Sequence, residues 1–224
     1  MAFEIDHVFI CTEVGGPEAE YLKSFGLTEG KPNTHPGQGT ACRRFFFANA
    51  YLELLWVQSP IEAQSQQSCR TRLWERWSGR KGGACPFGIC VRPAAGHQRC
   101  EFPFAIWDYR PSYMPPGVSL GIAKSSETIT EPFLCYLQSA QRPDGYATDR
   151  QQPLRNAAGL REITRVRMMS PKVQRLSPEF QAAVDAKLLD SDFGERHCLE
   201  LGFDREKQER IADFRPDLPL VFRW

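Results

Sequence analysis

Three side chains stand where a β-strand should carry apolar ones. Glu53 is set in Leu52-Glu53-Leu54, Glu200 in Leu199-Glu200-Leu201, and His7 in Ile5-Asp6-His7-Val8-Phe9. A carboxylate at an inward strand position loses several kcal/mol of hydration unless a cation, a hydrogen-bond donor or a metal meets it. A neutral imidazole and a carboxylate on neighbouring strands are half of a divalent-metal site, so His7 and Glu53 are the candidate ligands, for Zn, Ni, Mn or Fe. The rival for Glu53 is a salt bridge to Arg43 or Arg44, which cannot both point inward from one strand. For His7 the rival is a hydrogen-bonded core histidine. Glu200 faces two readings: a carboxylate that moves a proton if it looks into a cleft, or a buried ion pair with Arg165, which cannot ligate a metal.

The elements that must position these groups follow from periodicity. Phe3 to Cys11 reads as a strand with Phe3, Ile5, His7, Phe9 and Cys11 on one face. A short amphipathic helix follows from Pro17 to Phe25, with Gly26 at its C-terminal cap. Residues 31–40 form a turn-rich loop, then come strands Ala41–Phe47 and Tyr51–Val57 around an Ala48-Asn49-Ala50 turn. Residues 60–81 read as a surface helix whose arginines, Arg76 among them, make a solvated face. Strands resume at Phe87–Val91, Phe102–Tyr109, Val118–Ala123 and Phe133–Leu137. Residues 138–160 are a polar linker, and a strand from Glu162 to Met169, a helix opened by Ser177-Pro178-Glu179 and strands from His197, Glu209 and Leu218 close the chain.

The 224 residues carry 28 Lys+Arg against 27 Asp+Glu, with 42% hydrophobic side chains, enough for one sizeable core. A net charge of +1 gives no electrostatic case for nucleic acid or an anionic membrane as partner. No apolar run approaches a membrane span and the first residues lack a basic-then-apolar leader, so a cytoplasmic protein is expected. The eight cysteines include no CxxC pair and sit mostly in apolar runs, as reduced thiols would. No GxSxG, Walker loop, GxGxxG or HExxH is present. Glu4-Ile5-Asp6-His7-Val8-Phe9 echoes Glu162-Ile163-Thr164-Arg165-Val166-Arg167, and Tyr51-Leu52-Glu53-Leu54-Leu55 echoes Cys198-Leu199-Glu200-Leu201-Gly202, the trace expected of a duplicated unit.

Two further segments bear on a pocket. His35, in the Gly-rich His35-Pro36-Gly37-Gln38-Gly39-Thr40 loop, is placed to edge one. Trp107-Asp108-Tyr109-Arg110-Pro111-Ser112-Tyr113 combines aromatics, prolines and a cation, which suits the rim around a small anionic or aromatic molecule.

Taken together, Ile5-Asp6-His7-Val8-Phe9-Ile10, the His35–Thr40 loop and Asn49-Ala50-Tyr51-Leu52-Glu53-Leu54-Leu55-Trp56-Val57 resemble the vicinal oxygen chelate superfamily of glyoxalases, bleomycin resistance proteins and dioxygenases, and within it the glyoxalase-like proteins. The resemblance is best over residues 3–57 and looser beyond. It implies an α+β fold of repeated βαβββ modules whose curved mixed sheets form a cleft. Such a division places a first module at 1–60, a helix plus a β-rich block that is a candidate second module at 61–137, a linker at 138–160 and a closing βαβββ-like module at 161–224. Family enzymes place a metal using a His on the first strand and a Glu on the fourth of each module. His7 and Glu53 match; the partner position is Gly88 if the second module begins at Phe87, or Arg165 if it is the closing unit, which leaves His7, Glu53 and either Glu200 or His197 as a reduced set. The resemblance also implies a homodimer, since modules of this kind pair across chains as well as within them.

The expected function is therefore a divalent-metal-dependent lyase, isomerase or dioxygenase acting on a small oxygenated molecule. His7 and Glu53 hold the metal, Glu200 moves a proton, and His35, Thr40, Arg43, Trp107, Tyr109, Arg110 and Tyr113 contact the substrate. The alternative is a metal-free small-ligand-binding protein of the same fold, of resistance or sequestration type. Stabilisation by organic ligands in EDTA separates the two.

Overall fold

Phe3–Cys11 is strand β1, buried along nearly its whole length, as a strand covered on both faces must be. It lies near the middle of a computed structural model that describes residues 2–97, 102, 104–171 and 176–224. After β1 come helix α1 (Ala19–Phe25) and strands β2 (Asn33–His35), β3 (Thr40–Phe46) and β4 (Tyr51–Val57). Gly26 ends α1 in the left-handed region, φ 111°, where only glycine is at ease.

The first sheet has eight strands in the order β2-β3-β4-β1-β5-β8-β7-β6, with β5 at Phe87–Pro93, β6 at Ile106–Tyr109, β7 at Leu120–Ala123 and β8 at Phe133–Tyr136. Strand β1 runs parallel to β4, and β5 parallel to β8. The outer pairs of each half are antiparallel. The middle block therefore repeats the strand order of the first unit, and the two halves join through the antiparallel pair β1–β5. The curled sheets form a half-barrel of α+β type. The expected strand Phe102–Tyr109 includes Pro103, which lies outside the described residues.

A bulge corrects the alternation expected for β1. Ile5 pairs with Val91 but His7 pairs with Cys90, so Asp6 is the extra residue and the faces exchange there. Phe3 and Ile5 consequently pack in the same core as Val8 and Ile10, together with Leu52 and Leu54. His7, Phe9 and Cys11 look to the opposite side, where Leu55, Phe133 and Leu73 form a second cluster with Phe9 and Cys11.

The closing segment forms a second sheet in the order β10-β9-β11-β13-β12, from β9 (Ile163–Ser170), β10 (Asp190–Phe193), β11 (Cys198–Phe203), β12 (Ile211–Asp213) and β13 (Leu220–Arg223). Its Leu199, Leu201, Phe203 and Phe222 fill the main core against the first sheet. The echo seen in the sequence is not an echo of strand order. In the first unit the opening strand pairs with the last, whereas β9 lies between β10 and β11. Repeated apolar strand patterns are dictated by burial and do not specify which strand is the neighbour.

Residues 138–160, read as a linker, run back across the first unit, where the Ala157 N–H donates to the Gly26 carbonyl and the Asp144 N–H to the Ala48 carbonyl. The Ala48-Asn49-Ala50 turn in turn docks the second sheet: the Asn49 amide group donates to the Ile163 carbonyl at 2.7 Å and accepts from its N–H at 2.9 Å. The helix expected over 60–81 is broken into α2 (Pro60–Ala63), a single turn at Cys69–Thr71 and α3 (Leu73–Ser78). Arg76 is not on a solvated face: it is fully buried and donates to the carbonyls of Cys85, Ile129, Glu131 and Ser126. In the last segment Ser177 caps α4 (Pro178–Asp185) as expected, accepting from the Phe180 N–H. No helix among the described residues is long and apolar enough to cross a membrane.

Candidate functional site

A cavity of about 160 Å³ opens on the face of the first sheet that carries His7, with walls from both of its halves. Strand β1 contributes His7 and Phe9, β4 contributes Tyr51, Glu53 and Leu55, and β2 contributes His35. From the second half come Cys90, Cys135 and Phe133, with Tyr109 and Tyr113 beside them.

Glu53 is 5% exposed, and no cation comes within 4 Å of it among the described residues. Among the described residues its polar partner is the Cys42 thiol, which donates to Oε1 at 3.5 Å. The rival salt bridges do not form. Arg43 points to the other side of β3, where it binds Glu29 and Glu20. Arg44 stands opposite Glu53 in the ladder, but its guanidinium donates to the carbonyls of Lys31 and Pro32 and lies 5.2 Å over the Phe46 ring.

The donor atoms of His35, Cys42 and Glu53 all lie within 4.8 Å of one another, and all three residues are buried. His35 is held between Thr40 Oγ1 on Nδ1 at 2.9 Å and Asn33 on Nε2 at 3.0 Å, and its ring packs against Tyr113. Burial lowers its pKa, so the imidazole is neutral. Burial and the neighbouring Glu53 charge push the Cys42 thiol up. His7 engages Asp6 through Nδ1 at 2.7 Å and stacks on Tyr51 at 4.6 Å, which leaves Nε2 without a hydrogen bond among the described residues. Burial alone would lower the pKa of His7, but the Glu53 and Asp6 charges outweigh it and the group is raised. At the rim the Tyr113 hydroxyl donates to Gln38, whose amide donates to Thr40.

Of the residues expected to form the site, the cavity brings together His7, Glu53, His35, Tyr109 and Tyr113, with Thr40 behind His35. Four others lie outside the cavity lining. Arg43 belongs to the α1 side. Trp107 lies under the Arg70 guanidinium, 4.3 Å from its ring, and lines no part of the cavity. Arg110 is exposed and pairs with Asp108. Glu200 sits in the second sheet between Arg165 at 2.6 Å and Arg223 at 2.7 Å, so the ion-pair reading describes its contacts. His197 is likewise tied up, by Ser170 and the Gly83 carbonyl.

Burial alone would raise the Glu200 pKa, but the hydrogen bonds from Arg223 and Arg165 outweigh it and hold the carboxyl below its ordinary value. A depressed pKa gives stability that is present at neutral pH and is lost as the pH falls through the folded value. Glu200→Gln is expected to cost about 1–3 kcal/mol at pH 7 in urea unfolding, because both arginines retain partial contact with solvent. The gap to the unsubstituted protein should close once the pH drops below the folded pKa; a gap that widens in acid would contradict this assignment.

Cys42, Cys90 and Cys135 were not singled out by sequence. Alternation along β3 places Cys42 on the face of Thr40, a signal that could have been read. In the second half Gly88 and Cys135 take the positions held by His7 and Glu53 in the first, when Phe133-Leu134-Cys135 is laid on Tyr51-Leu52-Glu53. Gly88 is required by packing: a Cβ there would lie 1.9 Å from Phe9 Cε1. Gly88→Ala should therefore lose about 1–3 kcal/mol in urea unfolding. A Phe9→Ala background should absorb most of that loss; equal losses in both backgrounds would place the strain elsewhere.

Comparison with known proteins agrees with this architecture. The family described as a glyoxalase-like domain matches residues 5–109. No curated protein matches the chain. Among solved structures, a hypothetical protein from Staphylococcus aureus shares the fold at 12% identity and a TM-score of 0.51, over 100% of this chain and 98% of that one. A Streptomyces coelicolor methylmalonyl-CoA epimerase aligns at 11% identity and a TM-score of 0.39, over 61% of this chain and 97% of that one. A xylose isomerase-like TIM barrel/4-hydroxyphenylpyruvate dioxygenase fusion protein aligns at 10% identity and a TM-score of 0.45, over 91% of this chain and 36% of its own. The glyoxalase-like domain match thus spans β1 to β6, and the paired four-stranded units of the first sheet continue past it through β8.

Proposed function

We propose that this protein is a divalent-metal-dependent enzyme of lyase, isomerase or dioxygenase type that acts on a small oxygenated organic molecule in the cavity. The carrying observation is the buried Glu53 carboxylate, which has no cation within 4 Å among the described residues and lies within 4.8 Å of two further donors. A buried charge left unpaired is strongly unfavourable, and a cation shared with Cys42, and with His35 once Asn33 yields its hydrogen bond to Nε2, removes that penalty. His7, held through Nδ1 by Asp6, offers Nε2 as a further donor in the way that outer carboxylates orient metal-binding imidazoles. A thiol, imidazole and carboxylate set favours Zn, Fe or Ni over Mn. A divalent cation bound there supplies Lewis acidity toward a carbonyl or enolate oxygen. Phe9, Leu55 and Phe133 exclude water from the walls, while Tyr113 and Gln38 present the polar groups that orient a substrate at the rim. Both halves of the site come from one chain, so a homodimer is not needed to complete it.

Gly88 and the Phe9 ring favour a second reading, in which the same cavity binds a small ligand without a metal. The two are separated by purifying the protein without chelator, measuring bound metal by mass spectrometry, and recording thermal unfolding with Zn, Ni or Fe and with organic acids in EDTA. About one equivalent of metal, with metal-dependent stabilisation, is expected. A metal-free protein stabilised by organic acids alone would replace the first reading with the second.

A further inference from the structure

Cys90 on β5 and Cys135 on β8 are direct partners in a parallel ladder. Both are buried, and both belong to the cavity wall. Their sulfurs are 2.6 Å apart. Neighbouring strands lie about 4.8 Å apart, within the span a disulfide accepts between Cα atoms. No other two cysteines among the described residues make such a contact. Cys100 lies outside them.

From this juxtaposition we infer that Cys90 and Cys135 are an oxidative modification site, at which a hydroperoxide small enough to enter the cavity links the two strands by a disulfide. One thiol gives up its proton as its sulfur attacks a peroxide oxygen; the O–O bond breaks, the departing oxygen takes that proton and leaves as water or an alcohol, and a sulfenic acid forms. The second sulfur attacks the first, the S–O bond breaks and water leaves. The two sulfurs give up two electrons and two protons, and the peroxide takes them. A cavity of about 160 Å³ admits hydrogen peroxide and excludes a tripeptide disulfide such as oxidised glutathione. The product joins two strands of the second half and replaces two thiols facing the pocket with an aprotic bridge. This inference depends on the cavity wall and not on the metal reading.

The test uses the reduced full chain in EDTA, treated with hydrogen peroxide or with oxidised glutathione, then unfolded in iodoacetamide and mapped by peptide mass. With peroxide the protein should become two hydrogens lighter, with Cys90 and Cys135 in one linked product that dithiothreitol releases. The exposed Cys69 should remain outside that link. Oxidised glutathione should modify Cys69 and leave the pair unlinked. The linked form should unfold about 5 °C or more above the reduced one, since the bond constrains the unfolded chain between residues 90 and 135. Cys90→Ser and Cys135→Ser should each abolish the mass loss; if either fails to fold, the map of the unsubstituted protein decides alone. The inference is overturned if Cys90 and Cys135 stay separately alkylatable under peroxide that fully oxidises Cys69, if the mass loss survives in a folded Ser variant, or if oxidised glutathione links the pair as fast as peroxide does.

Discussion

Glu53→Gln should weaken divalent-metal binding by about 100-fold or more, yet in chelator leave the unfolding midpoint unchanged or raise it. A carboxamide is a poor substitute for a carboxylate ligand. In the metal-free protein the exchange removes a buried carboxyl group whose polar partner among the described residues is a thiol at 3.5 Å. An ordinary structural carboxylate would behave in the opposite way, as Glu200 should, because its loss strands the arginines around it. Competition with a chromophoric chelator reads the affinity, and calorimetry in EDTA reads the stability. Unchanged metal affinity in the variant, or a marked loss of stability without metal, would remove Glu53 from the donor set.

Arg92→Met should destabilise the protein by about 3–5 kcal/mol, the penalty for stranding a buried charge, and lower its unfolding temperature by about 10 °C. Arg92 is 1% exposed and meets Asp6, itself 2% exposed, at 2.9 Å. It also donates to Glu4 at 3.0 Å and to the Asn49 carbonyl at 2.6 Å. Methionine fills much of the space but leaves the buried Asp6 carboxyl with His7 as its remaining side-chain partner among the described residues. Because Asp6 orients His7, the loss should extend to the site, and the His7 ring resonances should shift. Glu4→Gln serves as the comparison: Glu4 keeps contact with solvent, and its replacement should cost about 1 kcal/mol or less. Equal effects of the two substitutions would show that Arg92 acts through packing.

Much of the first unit could be read from the chain. The expected bounds of β1 and β4 coincide with those observed, Gly26 ends α1 and Ser177 opens α4. Alternation and cap chemistry are local, so a few neighbouring residues suffice to express them. His7 and Glu53 were identifiable for a similar reason, since an ionisable group amid apolar strand neighbours advertises an unmet electrostatic need. The bulge at Asp6 escaped that reading because it is a response to β5, whose Cys90 pairs with His7 where regular pairing would have given it Asp6. The arginines were also hard to place: Arg76 lies in a charged, polar stretch, and its burial is decided by carbonyls from distant segments that converge on it.

Local pattern alone thus established that residues 3–57 carry a strand, helix and strand unit with a histidine and a carboxylate that need partners. Which partners they find was settled by long-range pairing. The strand order of the first sheet puts His35 and Cys42 beside Glu53, while that of the second gives Glu200 to Arg165 and Arg223. Two carboxylates in nearly identical Leu-Glu-Leu settings therefore have opposite fates, because the compensation of a buried charge depends on which remote segments the packed sheets bring within a few ångströms of it.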